Sequence, residues 1–182
     1  KSVLQYAMQG KLVEQKLEEG TGEELYCQIQ TGKEKLIQSG IIKQEKPLPE
    51  ITEVEKPFDI PASWKWVKIG NIFTVIRGSS PRPKGSPVYW SDKKTDYNWI
   101  TIEDISAFCK EGVLSQTIEY LTQKGAELST YVGEDELIIA VSGSTTGKHC
   151  VLGISGYIYD GSAAILNPTK MISSIYLSLF FD

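Results

Sequence analysis

The chain reads as an α+β protein, a helical hairpin arm followed by a β-rich domain with a few helices. Three observations predict this: helical spacing of apolar residues within positions 1–40, a charged proline-bearing run after them, and short β-branched and aromatic runs beyond.

In residues 1–17, Leu4, Ala7, Met8 and Leu12 recur at helical spacing, which predicts an amphipathic helix interrupted at Gly10. A second helix is better punctuated. Thr21 and Glu24 have capping-box spacing, Leu25, Ile29, Leu36 and Ile37 form one apolar stripe, and Gly40 stands where a helix commonly ends. The stripe of such an arm either packs on the rest of the chain or serves a partner. From Lys43 to Pro61 the periodic pattern gives way to charged residues with Pro47, Pro49, Pro57 and Pro61, a stiff and extended linker. Beyond it, Trp64 and Trp66 are expected on one face of a strand. Further strands are expected at Ile72–Ile76, Asn98–Ile102, Leu137–Val141, Cys150–Leu152 and Ala163–Leu166. A short helix over Leu121–Leu128 and another from Met171 onward complete the pattern. The expected organisation is an arm over 1–42, a linker over 43–62 and a β-rich domain over 63–182.

Composition excludes several classes. With 182 residues, of which 41% are hydrophobic, the chain is long enough to build a core, so disorder of the whole is ruled out. A net charge of −4 excludes a uniformly basic, histone-like binder, and any nucleic-acid site must be a local patch. Cys27, Cys109 and Cys150 form no C-x-x-C pair; their spacing predicts neither a zinc ribbon nor a disulfide framework, and their odd number suits a reducing cytoplasm. No run approaches the length of a membrane span, and Lys1–Gly10 lacks a signal-peptide core, so a soluble intracellular protein is expected. Both ends read as cuts in a longer chain.

Catalytic patterns are scarce. In Ser142–Cys150 (SGSTTGKHC), Gly143 and Gly147 are one residue too close for a P-loop, and His149 stands where the magnesium-binding hydroxyl belongs. The segment is either an ordinary hairpin loop or a loop that brings backbone N–H groups and Lys148 against a phosphate. His149 is the sole histidine, and Cys150 beside it on a strand points to the opposite face, which argues against a Cys–His dyad. Glu103 with Asp104, and Glu134, Asp135 and Glu136, read as solvated turns, the first pair also placed to accept hydrogen bonds from a ligand.

The most suggestive patch spans 77–94, where Arg77, Arg82, Lys84, Lys93 and Lys94 face only Asp92. Such a local excess is what phosphate neutralisation requires, and an arginine on a stiff loop can fork onto a guanine edge. Trp90 and Trp99 are expected to plug the core.

The runs LQYAMQGKLVEQ (4–15), GTGEELYCQIQTGKEKLIQSGIIKQEKPLPEI (20–51) and FDIPASWKWVKIGNI (58–72) resemble the specificity (S) subunits of type I restriction-modification systems. The likeness continues through RGSSPRP, the YW and NWITIEDI segments and ELIIAVSGSTTGK. It implies that 63–182 is a DNA target recognition domain, cut at the start of a helix, that reads one half of a bipartite site and docks the methylation subunit. It further implies a cytoplasmic, non-catalytic protein without a cofactor of its own. S-adenosylmethionine and ATP belong to the methylation and restriction subunits, the expected partners beside double-stranded DNA. Carried onto this chain, the candidate DNA contacts are Arg77, Ser79, Ser80, Arg82, Lys84, Lys93 and Lys94, with Ser144, Thr145 and Lys148 in the second loop. Two other readings compete: a protein-interaction module that never touches DNA, and the recognition domain of a single-chain methyltransferase-nuclease.

Overall fold

A computed structural model describes residues 2–181, which fall into two units divided between Phe73 and Thr74. In the first, helix α1 (Ser2–Met8) stops where Gly10 takes a positive φ of 66°, so Leu12 of the expected stripe lies outside the helix and is exposed. Helix α2 (Gly22–Gln38) begins with the capping box the sequence signals: the Thr21 hydroxyl accepts from the Glu24 N–H, and the Glu24 carboxylate accepts from the Thr21 N–H. Two orphan donors of the first turn are thereby satisfied. Ile29 is the buried point of its stripe.

The expectation of a strand carrying Trp64 and Trp66 is corrected. Residues 61–68 are irregular, and the two indoles serve as packing anchors. Trp64 donates through Nε1 to Gln15 (2.7 Å), while Trp66 meets the Phe58 ring edge-on. Proline and polar neighbours there leave no strand partner to continue. Helix α3 (Ile69–Ile72) occupies the start of the expected 72–76 strand and is tied to α2, because Gln30 and Lys33 donate to the Asn71 carbonyl.

The second unit is built on two sheets. Its elements are β1 (Thr74–Arg77), β2 (Trp90–Ser91), β3 (Asn98–Ile100), α4 (Ile102–Phe108), β4 (Cys109–Lys110), β5 (Val113–Leu114), β6 (Glu119–Leu121) and α5 (Gln123–Glu127). There follow β7 (Thr130–Val132), β8 (Leu137–Ala140), β9 (His149–Leu152), β10 (Gly156–Ile158), β11 (Ser162–Leu166) and α6 (Ser174–Ser178). One sheet has the order β1-β11-β8-β9-β5-β4 and the other β2-β6-β3-β10-β7. The pairs β5–β9 and β3–β10 are parallel and the rest antiparallel. Ile100, Val132 and Ile158 of the smaller sheet and Leu114, Ile138, Leu152 and Ala164 of the larger one share a single core with Ile105 of α4. Each of the Val, Leu and Ile side chains contributes about 1.5–3 kcal/mol through burial. Helix α6 packs on β8 and β9, and Leu137, Val151 and Leu177 are all buried, so the central strands are covered on both faces. This is why LIIA and HCVL read as unbroken apolar runs rather than alternating ones.

Several expected boundaries shift. The 98–102 strand ends at Ile100 because Thr101 caps α4: its hydroxyl accepts from the Asp104 N–H and its own N–H donates to Asp104 (2.7 Å). Asp104 is 1% exposed and its other oxygen accepts from the Ile118 N–H (2.9 Å). The sequence expectation of a solvated, ligand-facing Asp104 is therefore corrected; both oxygens are committed to the fold. The 121–128 helix is shorter than expected, since Leu121 completes β6 opposite Trp90 and Thr122 is the cap of α5. The terminal helix begins at Ser174 rather than Met171, with Ser173 as its cap.

The cysteine expectation is corrected as well. Cys109 of β4 and Cys150 of β9 form a disulfide with Cα atoms 6.3 Å apart, and Cys27 is exposed and unbridged. Sequence spacing hides the pair because β4 and β9 come to flank the same strand, β5, only in the folded sheet. Among the described residues no group of three or more His, Cys, Asp or Glu could hold a metal ion. No helix among them is long and apolar enough to cross a membrane.

Two outcomes are expected. Asp104→Ala strands the Ile118 and Thr101 donors and lowers unfolding free energy by about 2–3 kcal/mol, read from urea denaturation. Reduction of the disulfide, which closes a loop of 41 residues, lowers stability by up to about 4 kcal/mol. Thermal melts with and without a thiol reductant measure this, and a Cys109→Ser, Cys150→Ser double variant is expected to lose its sensitivity to reductant.

Candidate nucleic-acid interface

Strand register brings separate segments to one place. Arg77 at the end of β1 lies opposite Ala163, Ser162 at the start of β11 lies opposite Ala140, and Ile139 lies opposite His149. The exit of β1, the entry to β11 and the hairpin joining β8 to β9 therefore share one edge of the larger sheet. Residues 159–161 reach this edge from β10, passing from one sheet to the other.

The loop after β1 is moulded onto that passage. The Gly78 N–H donates to Ser162 and the Ser79 N–H to Ile158. A Cβ at Gly78 would stand 2.0 Å from the Tyr159 carbonyl oxygen, so only glycine permits this approach. Asp160 gathers the loop's polar side chains. Its Oδ1 accepts from the Ser80 hydroxyl (2.9 Å), its Oδ2 from Arg82 Nη2 (2.6 Å) and its carbonyl from Arg77 Nε (3.1 Å). The Ser80 hydrogen bond first, and then Arg82, hold the Asp160 carboxyl below its ordinary value of 3.8.

The predicted residues separate into four groups. Arg77, Ser80 and Arg82 are brought together on Asp160, with Lys84 exposed further along the same loop. Ser79 instead turns inward, donating to the Leu128 carbonyl and sharing a hydrogen bond with Thr130, so its hydroxyl is spent on the fold. Ser144, Thr145 and Lys148 lie in the β8–β9 hairpin at the same edge as Arg77. There Ser142 donates to the Gly161 carbonyl, and Lys148 Nζ donates to the Ser106 hydroxyl (3.1 Å). Lys93 and Lys94 are elsewhere. They precede β3, which runs parallel to β10, so they stand at the end of the smaller sheet opposite Asp160. Lys94 lines an open polar cleft of about 260 Å³ with Asn98, Gln116 and Tyr120.

The hairpin joins two antiparallel strands, with Gly143 and Gly147 at positive φ, and is not the strand-to-helix turn of a P-loop. His149 donates from Nδ1 to the Gly147 carbonyl and its ring packs on Phe181, a structural setting. Trp99 is buried with Trp90 edge-on against it, as expected of core plugs. Asp160 is the residue that sequence reasoning missed. Its signal was the Asp160-Gly161 pair after an apolar run, a turn signature that says nothing of a distant arginine.

The larger sheet thus carries Arg77 and Arg82 held at Asp160, with Lys84 on the same loop and Lys148 on the β8–β9 hairpin at the same end. Such an arrangement of cations suits an anionic partner.

Comparison with known proteins gives the chain a family likeness. The chain is 40% identical over 77 residues to the type I restriction enzyme EcoAI specificity subunit of Escherichia coli, a match covering 42% of this chain and 13% of that subunit. It is 35% identical over 99 residues to the EcoEI specificity subunit of the same organism, covering 52% of this chain and 17% of the relative. The matched segments are therefore a small fraction of those subunits. The fold is shared with the HsdS subunit of Thermoanaerobacter tengcongensis (TM-score 0.52, 20% identity) over 87% of this chain and 35% of that one. It is shared equally with a chain from a type I R-M system studied for complex assembly and conformational transition (TM-score 0.53, 19% identity). No protein-family model matches the chain. Sequence and fold agree on the family the chain resembles, the type I specificity subunits, of which it matches a segment.

Because the folded Asp160 has a lowered pKa, its contribution to loop order is present above 3.8 and is lost as pH falls through the depressed value. Carboxyl NMR titration is expected to place the Asp160 midpoint below the ordinary aspartate value of 3.8, with the Arg82 Nε–H resonance shifting in the same step.

Proposed function

We propose that this chain is the DNA-reading segment of a type I restriction-modification specificity subunit. It reads one half of a bipartite duplex site with its β1–β2 loop and β8–β9 hairpin. The chemistry is left to other subunits: the chain docks a methylation subunit that brings S-adenosylmethionine, and a restriction subunit that uses ATP joins the assembly. A cytoplasmic location follows from that role.

The observation that carries the reading is the placement of Arg77, Arg82 and Lys148 at one end of one sheet, within an acidic chain. Long-range attraction to a polyanion is weak for a protein of net charge −4, so the local cations must do the neutralising. Arg82 exposes 69% of its side chain while one guanidinium nitrogen is held by Asp160, which leaves further donors directed outward. A fork of that kind suits the O6 and N7 acceptors of guanine in the major groove. Lys148, a flexible point charge, suits a phosphate.

The relatives' family supports the same assignment. Lys93 and Lys94 stand apart from Arg77, Arg82 and Lys148 and are assigned to phosphates of a longer contact track. The cross-linked sheet and the capped α4 hold the loops without taking part in recognition.

The test is co-expression of the full-length parent gene with its methylation subunit in an unmodified host, followed by genome-wide mapping of methylated adenine. A bipartite motif dependent on this gene is expected. Arg82→Ala is expected to relax one position of the motif, a loss of about 1–3 kcal/mol, whereas Lys148→Ala weakens binding to all duplexes alike and lowers the salt slope by about one unit. Equal losses on every duplex for both variants would contradict the assignment. No motif, with the subunits shown to associate, would favour a protein-interaction module.

A further inference from the structure

We propose that Asp160 is a positioning residue whose carboxylate buttresses Arg82 for DNA and withholds it from phosphates in general, while its carbonyl orients Arg77. The inference rests on the DNA reading given above and deepens it, since it concerns how the same loop discriminates among sequences.

A carboxylate in the middle of a polyanion-binding edge is a cost for affinity alone. It repels the phosphates that Arg77, Arg82, Lys84 and Lys148 attract. Nor is it there chiefly for stability: the Arg82–Asp160 pair is exposed on both sides, 69% and 49%, and such pairs contribute little. Its geometry is what distinguishes it. One residue joins three side chains of the neighbouring loop through both carboxylate oxygens and its carbonyl, while its own N–H donates to the Ser80 hydroxyl at 3.1 Å. Asp160 is itself held, because Gly78 and Ser79 of the same loop are bonded to Ser162 and Ile158 on either side of it. Arg82 of the loop and Arg77 of β1 are therefore both tied to the short link that joins the two sheets.

Two physical consequences follow. A pre-ordered guanidinium loses less rotamer freedom on binding, so a correctly placed base edge gains more from it. The carboxylate also competes with any phosphate for Arg82, which penalises every duplex by a similar amount and is offset only where a base accepts the remaining donors. Discrimination is raised by lowering the affinity of the wrong partners. Ser80 acts with Asp160 by fixing the carboxylate's orientation; it is not a DNA contact in its own right.

The experiment uses the full chain as wild type, Asp160→Ala, Asp160→Asn and Arg82→Ala, each first checked by thermal melting. In the free proteins, ¹⁵N relaxation of the Arg82 Nε–H reports its order. Wild type is expected to be ordered, Asp160→Ala mobile and Asp160→Asn intermediate. Each protein is then used to select from a duplex library with a randomised core, and its affinity for an unselected duplex is measured across salt concentrations. Asp160→Ala is expected to bind the unselected duplex more tightly than wild type. At the same time it loses about tenfold in enrichment at the position that Arg82→Ala also loses. Unchanged Arg82 order, or a wild-type enrichment pattern in Asp160→Ala, overturns the proposal while leaving DNA reading intact. Absence of salt-dependent binding by wild type overturns the DNA reading and this proposal together.

Discussion

The passage from Ile158 to Ser162 is the constraint on which the rest of the second unit depends. In three intervening residues the chain leaves one sheet and enters the other, so β10 and β11 share a core but no ladder. Tyr159 offers its carbonyl to a glycine that has no side chain to obstruct it, Asp160 faces the loop beyond β1, and Gly161 receives the Ser142 hydroxyl. Three chain segments distant in sequence are thus registered against one another by a short covalent link. Any change in its length would move the loops relative to both sheets at once.

Around this link the structure separates holding from presenting. Buried polar groups such as Asp104 and Thr117 are fully engaged, Asp104 with two main-chain donors and Thr117 with the Trp99 carbonyl. The disulfide and α6 bind down the central strands from different sides. The presenting residues are exposed, and their interactions with one another are individually weak. The proposed contacts lie where stability has least to lose, as expected of loops on a rigid scaffold.

Much of the scaffold was legible in the sequence. The capping box of α2 and the strands β8, β9 and β11 have local causes, in Thr21 with Glu24 and in uninterrupted apolar runs. The tryptophan pair at 64 and 66 misled because alternation of aromatics signals a strand only where a partner strand exists, and none lies there. Thr101 and Asp104 cap α4 in the same way as Thr21 and Glu24 cap α2, yet the apolar NWITI run masked the signal. At the interface, local reasoning reached the cations on their loops but not their neighbour. Asp160 is 78 residues from Arg82, and the Cys109–Cys150 link spans 41. Such pairings are properties of sheet order, which one-dimensional patterns do not carry.

The β8–β9 hairpin has one more consequence. Its two strands are flanked on both sides, β8 by β11 and β9 by β5, so their alignment is set by neighbours and does not depend on the connecting turn. The connection is therefore free to lengthen, shorten or exchange its residues by descent without disturbing the strands beneath it. A lineage can rewrite what this edge contacts and inherit the same body.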